Sequence, residues 1–181
     1  MVASAAALTL VSVARETYLR PTTLRILSAN VTSFGKGKRA WAHGLAGDYD
    51  VVALQETALD ALGQSAAASE LQPAWTSFWG APVGINNDPR LKNDVRAIRG
   101  LGVATLVRRG SPAKAASLAD ARYAALYHSG RFVHTIVPYH DGRQSLHILN
   151  LYAQCSKGSG KGEIDEIMGD MSCLNEVDRK I

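Results

Sequence analysis

The chain has 181 residues, of which 46% are hydrophobic and 20% are charged, and its formal net charge is +4. This composition is typical of a soluble globular protein with one hydrophobic core. Two cysteines without zinc-type spacing exclude a disulfide framework and a zinc finger, and they favour a reducing, intracellular compartment. No apolar run approaches the roughly 18 residues of a membrane-spanning helix, so we predict no membrane span.

The first 22 residues are interpreted as an N-terminal extension, either disordered or a flanking helix, and Pro21 marks its boundary. They lack the ordered basic start and cleavage site of a secretory signal. An organelle transit peptide is a weaker alternative. Residues 23–181 are predicted to form one domain, or most of one.

The next part of the chain predicts a β-α-β unit followed by a helix and an aromatic strand. Short runs of Leu, Ile and Val have the length of buried strands, and alanine-rich or 3.6-periodic segments indicate helices. The predicted order is strand Leu24–Val31, helix Lys38–Leu45, strand Asp50–Gln55, helix Leu59–Leu71 and strand Trp75–Trp79.

Residues 80–100 form the longest irregular stretch, and they include Arg96 and Arg99. Loops of this length inside a domain are usually functional or disordered. Two interpretations stay open, a basic loop beside an anionic substrate and a solvated insertion. The sequence pI near 9.2 suits a polyanionic substrate without requiring one.

The centre of the chain predicts an antiparallel meander, followed by a glycine-rich basic loop at Ser156–Gly162 and an amphipathic helix. The basic loop does not match a phosphate-binding loop. The predicted elements are strand Leu101–Val107, the pair Ala121–Tyr127 and Arg131–Val137 around Ser129-Gly130, a turn at His140–Arg143, strand Ser145–Tyr152 and helix Glu163–Val177.

Two of the predicted strands end in polar side chains, Asn30 on the first and Glu56 on the second. A carboxylate and a carboxamide brought together at one sheet edge could share a hard cation, for which Mg²⁺ is the natural choice. Each residue also has a plain structural interpretation: Asn30 could cap a strand end, and Glu56 could begin the following helix.

Four segments together resemble the endonuclease/exonuclease/phosphatase superfamily, nearest to its apurinic/apyrimidinic-type and retrotransposon-type endonucleases. They are Leu24–Val31, Asp50–Thr57, Gly102–Arg108 and His147–Tyr152. The resemblance implies an α/β (α+β) fold of the deoxyribonuclease I type, a four-layer α-β-β-α sandwich that is incomplete here. It also implies a Mg²⁺- or Mn²⁺-dependent phosphodiester hydrolase acting on nucleic acid, DNA more than RNA, with the nucleus as one candidate compartment.

The resemblance implies roles for three residues. Glu56 would bind the metal, Asn30 would help to organise the metal and phosphate, and Tyr152 would contact the scissile phosphate, although Tyr152 could instead be half-buried core. Separately from the resemblance, if the basic loop lies beside an anionic substrate, Arg96 and Arg99 would bind that substrate. His134 alternates with apolar residues, so we expect it in packed surroundings, and the other four histidines show no ligand spacing.

The resemblance is partial, because the later Asp-x-Asn and Ser-Asp-His motifs of the superfamily are absent. We therefore expect a truncated domain with little or no nuclease activity. Two alternatives stay open: a lipid or inositol phosphatase of the same superfamily, and a non-catalytic remnant that binds nucleic acid or a partner.

Overall fold

The computed structural model describes residues 23–82, 101–117, 121–139 and 144–152. The strands in these ranges are β1 (Ile26–Asn30), β2 (Val51–Gln55), β3 (Trp75–Trp79), β4 (Val103–Arg108), β5 (Lys114–Ala115), β6 (Phe132–Tyr139) and β7 (Gln144–Leu151). The helices are α1 (Lys36–Gly44), α2 (Ala61–Leu71) and α3 (Ala121–His128), with a 3-10 turn at Leu45–Gly47. Within the described ranges, no helix has the length and apolar character needed to cross a membrane.

The first sheet has the strand order β1-β2-β4-β3. β1 and β2 are parallel and are connected through α1, which confirms the predicted β-α-β unit, whereas β4 runs antiparallel to both β2 and β3. The apolar runs of β2 and β4 are buried along almost their whole length because these strands are covered on both faces. In the part of the chain that the structure describes, β1 pairs on one side only.

The second sheet is an antiparallel meander in the order β5-β6-β7. The predicted pairing of Ala121–Tyr127 with Arg131–Val137 is wrong, because the first segment is helix α3 and β6 pairs with β5 and β7. The intervening Gly130 has φ +73° and its N–H donates to the Tyr127 carbonyl, so it ends a helix instead of turning a hairpin. Short apolar runs do not distinguish a helix from a strand.

The described elements stack as helix, sheet, sheet and helix, in a mixed α+β fold. α1 and α2 pack on one face of the first sheet, where Phe34, Leu54 and Leu71 are fully buried. The other face of that sheet packs against the second sheet through a cluster that includes Val107 and Val137. α3 packs on the outer face of the second sheet at the Phe132 end of β6, where Leu126 contacts Phe132.

Local signals explain where the helices begin and which faces they bury. The Asp60 carboxylate accepts the Gly63 N–H at 2.7 Å, so it caps α2. In α1 the buried side chain is Ala42, whereas Trp41 is 42% exposed. The predictions that lie outside the described residues are the N-terminal extension, most of the 80–100 loop, the His140–Arg143 turn, the Ser156–Gly162 loop and the Glu163–Val177 helix.

Candidate functional site

Asn30 and Glu56 lie together at one edge of the first sheet. Because β1 and β2 are parallel, their carboxyl ends meet at this edge. The Asn30 Nδ2 amide donates a hydrogen bond to Glu56 Oε1 at 2.7 Å. The two side chains that the sequence analysis singled out are therefore in direct contact.

Backbone hydrogen bonds hold the segments that follow the two strands side by side. The Val31 N–H donates to the Gln55 carbonyl at 2.9 Å, and the Ser33 N–H donates to the Glu56 carbonyl at 2.7 Å. The N–H of Phe34, a fully buried residue, donates to the Thr57 carbonyl at 2.9 Å. These hydrogen bonds join the backbone after Asn30 to the backbone around Glu56, and they fix the distance between the two side chains.

Four non-glycine residues at this edge have positive φ: Thr32 (39°), Ser33 (76°), Glu56 (56°) and Ala58 (52°). Such a conformation costs an L-residue of order 1–2 kcal/mol, so it persists only where the surroundings enforce it. Among the described residues, every positive-φ position other than glycine belongs to this edge. Strained backbone of this kind often accompanies a functional site.

Glu56 is surrounded by neutral hydrogen-bond donors. Bonds from Tyr152, Asn30 and Thr32, the Tyr152 bond being the largest contribution, hold the pKa of the Glu56 carboxyl below its ordinary value, although partial burial acts in the opposite direction. Tyr152 follows β7 in the second sheet, and its N–H donates to the Arg131 carbonyl at 2.9 Å. The site therefore joins both sheets and keeps Glu56 ionised at neutral pH.

The amide orientation of Asn30 follows from three hydrogen bonds. Its Oδ1 accepts from the Thr32 N–H at 3.1 Å and from the Thr32 hydroxyl at 3.3 Å, while its Nδ2 donates to Glu56. In this arrangement Asn30 caps the strand end and also positions the carboxylate. The predicted metal-ligand role of Asn30 stays a prediction, and it requires the amide oxygen to turn away from Thr32.

Sequence reasoning missed a pair of amide side chains next to the site, formed by Gln55 and Asn150. Gln55 Nε2 donates to Asn150 Oδ1 at 2.7 Å. Asn150, which is 3% exposed, donates from Nδ2 to the carbonyls of Leu54 (3.0 Å) and Ala104 (2.9 Å). A single amide within the apolar run of β7 was the available signal, since buried polar groups are normally hydrogen-bonded.

The structure decides between the alternative interpretations of Glu56 and Tyr152. Glu56 does not begin a helix, because α2 starts at Ala61. Tyr152 is half-buried and bonded to Glu56. The predicted substrate-binding residues Arg96 and Arg99 lie outside the described residues.

The donor set suits one weakly held hard cation. Mg²⁺ takes oxygen ligands, keeps several waters and is commonly bound through one or two carboxylates. Glu56 supplies one carboxylate. Across the described ranges, no group of three or more His, Cys, Asp or Glu side chains could hold a metal ion.

No protein-family model matches this chain, and no curated protein matches it. Solved structures do match. The fold is similar to that of an AP endonuclease. That protein is AP endonuclease LMAP from Leishmania major, with a TM-score of 0.51 and 16% sequence identity over 90% of this chain. The match covers 51% of the Leishmania chain, so the present chain spans about half the length of that structure.

Proposed function

We propose that this chain carries the first half of a deoxyribonuclease I-like phosphodiester hydrolase acting on nucleic acid, with Glu56 as its metal-binding residue. The observation that carries the proposal is the contact of Glu56 with Asn30 and Tyr152, which brings three residues from three strand ends to one edge. The fold similarity to an AP endonuclease supports the class of substrate.

The chemistry of the site agrees with phosphate binding. Among the described residues Glu56 has no cationic partner, and an ionised carboxylate of this kind attracts a divalent cation. A phenol and a carboxamide can donate hydrogen bonds to a phosphate oxygen. When bound, Mg²⁺ or Mn²⁺ would neutralise charge that develops on the phosphate. Asn30 and Tyr152 would orient Glu56 before the cation arrives and would then face the substrate.

A low activity follows from the same site. Only one acidic side chain among the described residues contributes to it, and no histidine there faces the carboxylate to activate water. Loss of one such group commonly costs two to three orders of magnitude in rate. We therefore expect metal binding and weak DNA binding, with little or no cleavage by this chain alone.

Mn²⁺ binding tests the metal role directly, since the free ion gives a strong electron paramagnetic resonance signal. We expect the Glu56→Gln variant to bind Mn²⁺ at least about tenfold more weakly, because even loss of a residue outside the ligand set costs about 10–100-fold. Asp48→Asn is the matched control, as Asp48 is an exposed acid. Equal binding by the wild-type chain and Glu56→Gln would contradict the proposal.

A plasmid-nicking assay with Mg²⁺ or Mn²⁺ then separates the remaining hypotheses. Salt-dependent DNA binding without cleavage supports a non-catalytic remnant. Robust cleavage that Glu56→Ala abolishes would support the enzymatic function and would overturn the expected low activity.

A further inference from the structure

A pair of histidines lies on the outer face of the second sheet, away from the site at Glu56. The register places Ile136 opposite His147 and His134 opposite Leu149, so these four side chains share one face. His134 and His147 are therefore diagonal neighbours, a spacing that long side chains bridge. Asn150, which contacts the first sheet, points to the opposite face.

The two imidazole rings are in direct contact. His134 Nε2 and His147 Nδ1 are 3.0 Å apart, the ring centroids are 5.0 Å apart, and the ring planes are inclined by 46°. Both side chains are half-buried, so solvent reaches them. The β6–β7 ladder runs unbroken from Phe132 to Tyr139, which fixes the spacing of the two backbones.

The contact requires one ring to donate a proton and the other to accept it. If the donor ring moves its proton to its other nitrogen, both facing nitrogens present lone pairs to the space between the rings, and a small turn of the rings directs both at one ion. This change of tautomer releases no proton. Two neutral imidazoles then converge as ligands, and imidazole suits Zn²⁺, Cu²⁺ and Ni²⁺.

The spacing of the nitrogens is compatible with a shared metal ion. Two nitrogens bound to one metal at about 2.0–2.1 Å are about 2.9–3.3 Å apart when the angle at the metal lies between a right angle and the tetrahedral angle. The hydrogen-bonded separation of 3.0 Å falls in this range, so a metal could bind without a large movement of the rings.

We propose that His134 and His147 form a two-histidine site for a divalent late transition-metal ion such as Cu²⁺, Ni²⁺ or Zn²⁺. Among the described residues, the two imidazoles are the ligands that this face offers, because no group of three metal-binding side chains occurs there. Ile136 and Leu149 flank the pair on the same face and limit the access of solvent. The site is chemically distinct from Glu56, whose oxygen donors suit hard cations.

Paramagnetic broadening of histidine ring signals tests the proposal in the intact chain. The chain has five histidines, and sub-stoichiometric Cu²⁺ should broaden the ring signals of His134 and His147 together before the other three. To keep thiols from binding copper, the titration uses a Cys155→Ser, Cys173→Ser background.

Single substitutions test whether both rings act together. His134→Gln and His147→Gln should each reduce the Cu²⁺ affinity at least about tenfold, because one ring of a chelating pair is lost. His43→Gln is the control, since His43 is an exposed histidine on α1, and it should leave the affinity unchanged.

Two results would overturn the site. One is wild-type-like affinity in either variant of the pair. The other, which needs no histidine variant, is uniform broadening of all five histidine signals in the Cys155→Ser, Cys173→Ser background.

Discussion

The two ends of β2 each carry an acidic residue, and the two acids are treated differently. Asp50 precedes the strand and is 5% exposed. Its Oδ2 accepts the Arg25 N–H at 2.9 Å, and its Oδ1 lies 3.4 Å from Arg108 Nη2. Glu56 follows the strand, is partly exposed, and within the described ranges is bonded only by neutral donors.

The difference in hydrogen-bond and charge partners distinguishes Asp50, which has a structural role, from Glu56, which is a candidate functional residue. The charge of Asp50 is matched by two guanidinium groups, so Asp50 has no capacity left for another cation. The charge of Glu56 is stabilised by hydrogen bonds, and in the part of the chain that the structure describes no cationic group neutralises it. An acid held in that way remains available to a metal ion.

The largest expected effect is a loss of stability at the Asp50 end of β2, where the acid is paired with arginines. Asp50→Ala should lower the free energy of unfolding by about 2–3 kcal/mol, because it removes the acceptor of the Arg25 amide and leaves Arg108 half-paired. Urea denaturation measures the loss. Asp48→Ala, at an exposed neighbouring acid, should change stability by less than about 0.5 kcal/mol. Equal effects of the two changes would remove the distinction between the ends of β2.

A smaller, pH-dependent effect is expected at Glu56. Its pKa is lower in the folded chain than in the unfolded chain, so the unfolded chain binds more protons as the pH falls and stability declines. The wild-type chain should therefore exceed Glu56→Gln in stability at pH 7, by less than about 1 kcal/mol at this partly exposed position.

That advantage should be complete above about pH 4.3, the ordinary pKa of glutamate, and should disappear once the folded carboxyl is protonated at lower pH. Denaturation of both chains at a series of pH values gives the difference. A stability difference that stays constant with pH would mean that the hydrogen bonds do not favour the ionised form.

The smallest effect concerns backbone strain at the same end. Ala58 has φ +52°, and its N–H donates to the Leu101 carbonyl at 2.8 Å. Ala58→Gly should raise stability by about 0.5 kcal/mol, because relief of strain outweighs the added freedom of the unfolded chain. In the exposed face of α2, Ala66→Gly should lower stability by about 0.5–1 kcal/mol. Destabilisation by both changes would contradict the strain at Ala58.

The sequence was most informative where periodicity and polar strand ends coincide. Apolar runs that end in Asn30 and Glu56 located β1 and β2 and predicted that these side chains meet, because parallel strands end at one edge. The run at Ala121–Tyr127 was ambiguous, since its alanines and aromatics suit either a helix or a strand. The Asn150 bridge and the His134–His147 contact depend on the packing and register of distant strands, which residue patterns do not specify.

Asn150 has a consequence for how the two sheets can move. Its amide bonds carbonyls on β2 and β4 at once, two residues before Tyr152. Any sliding of one sheet over the other would break both hydrogen bonds of a buried amide, so we expect the two sheets to keep their relative position at this corner.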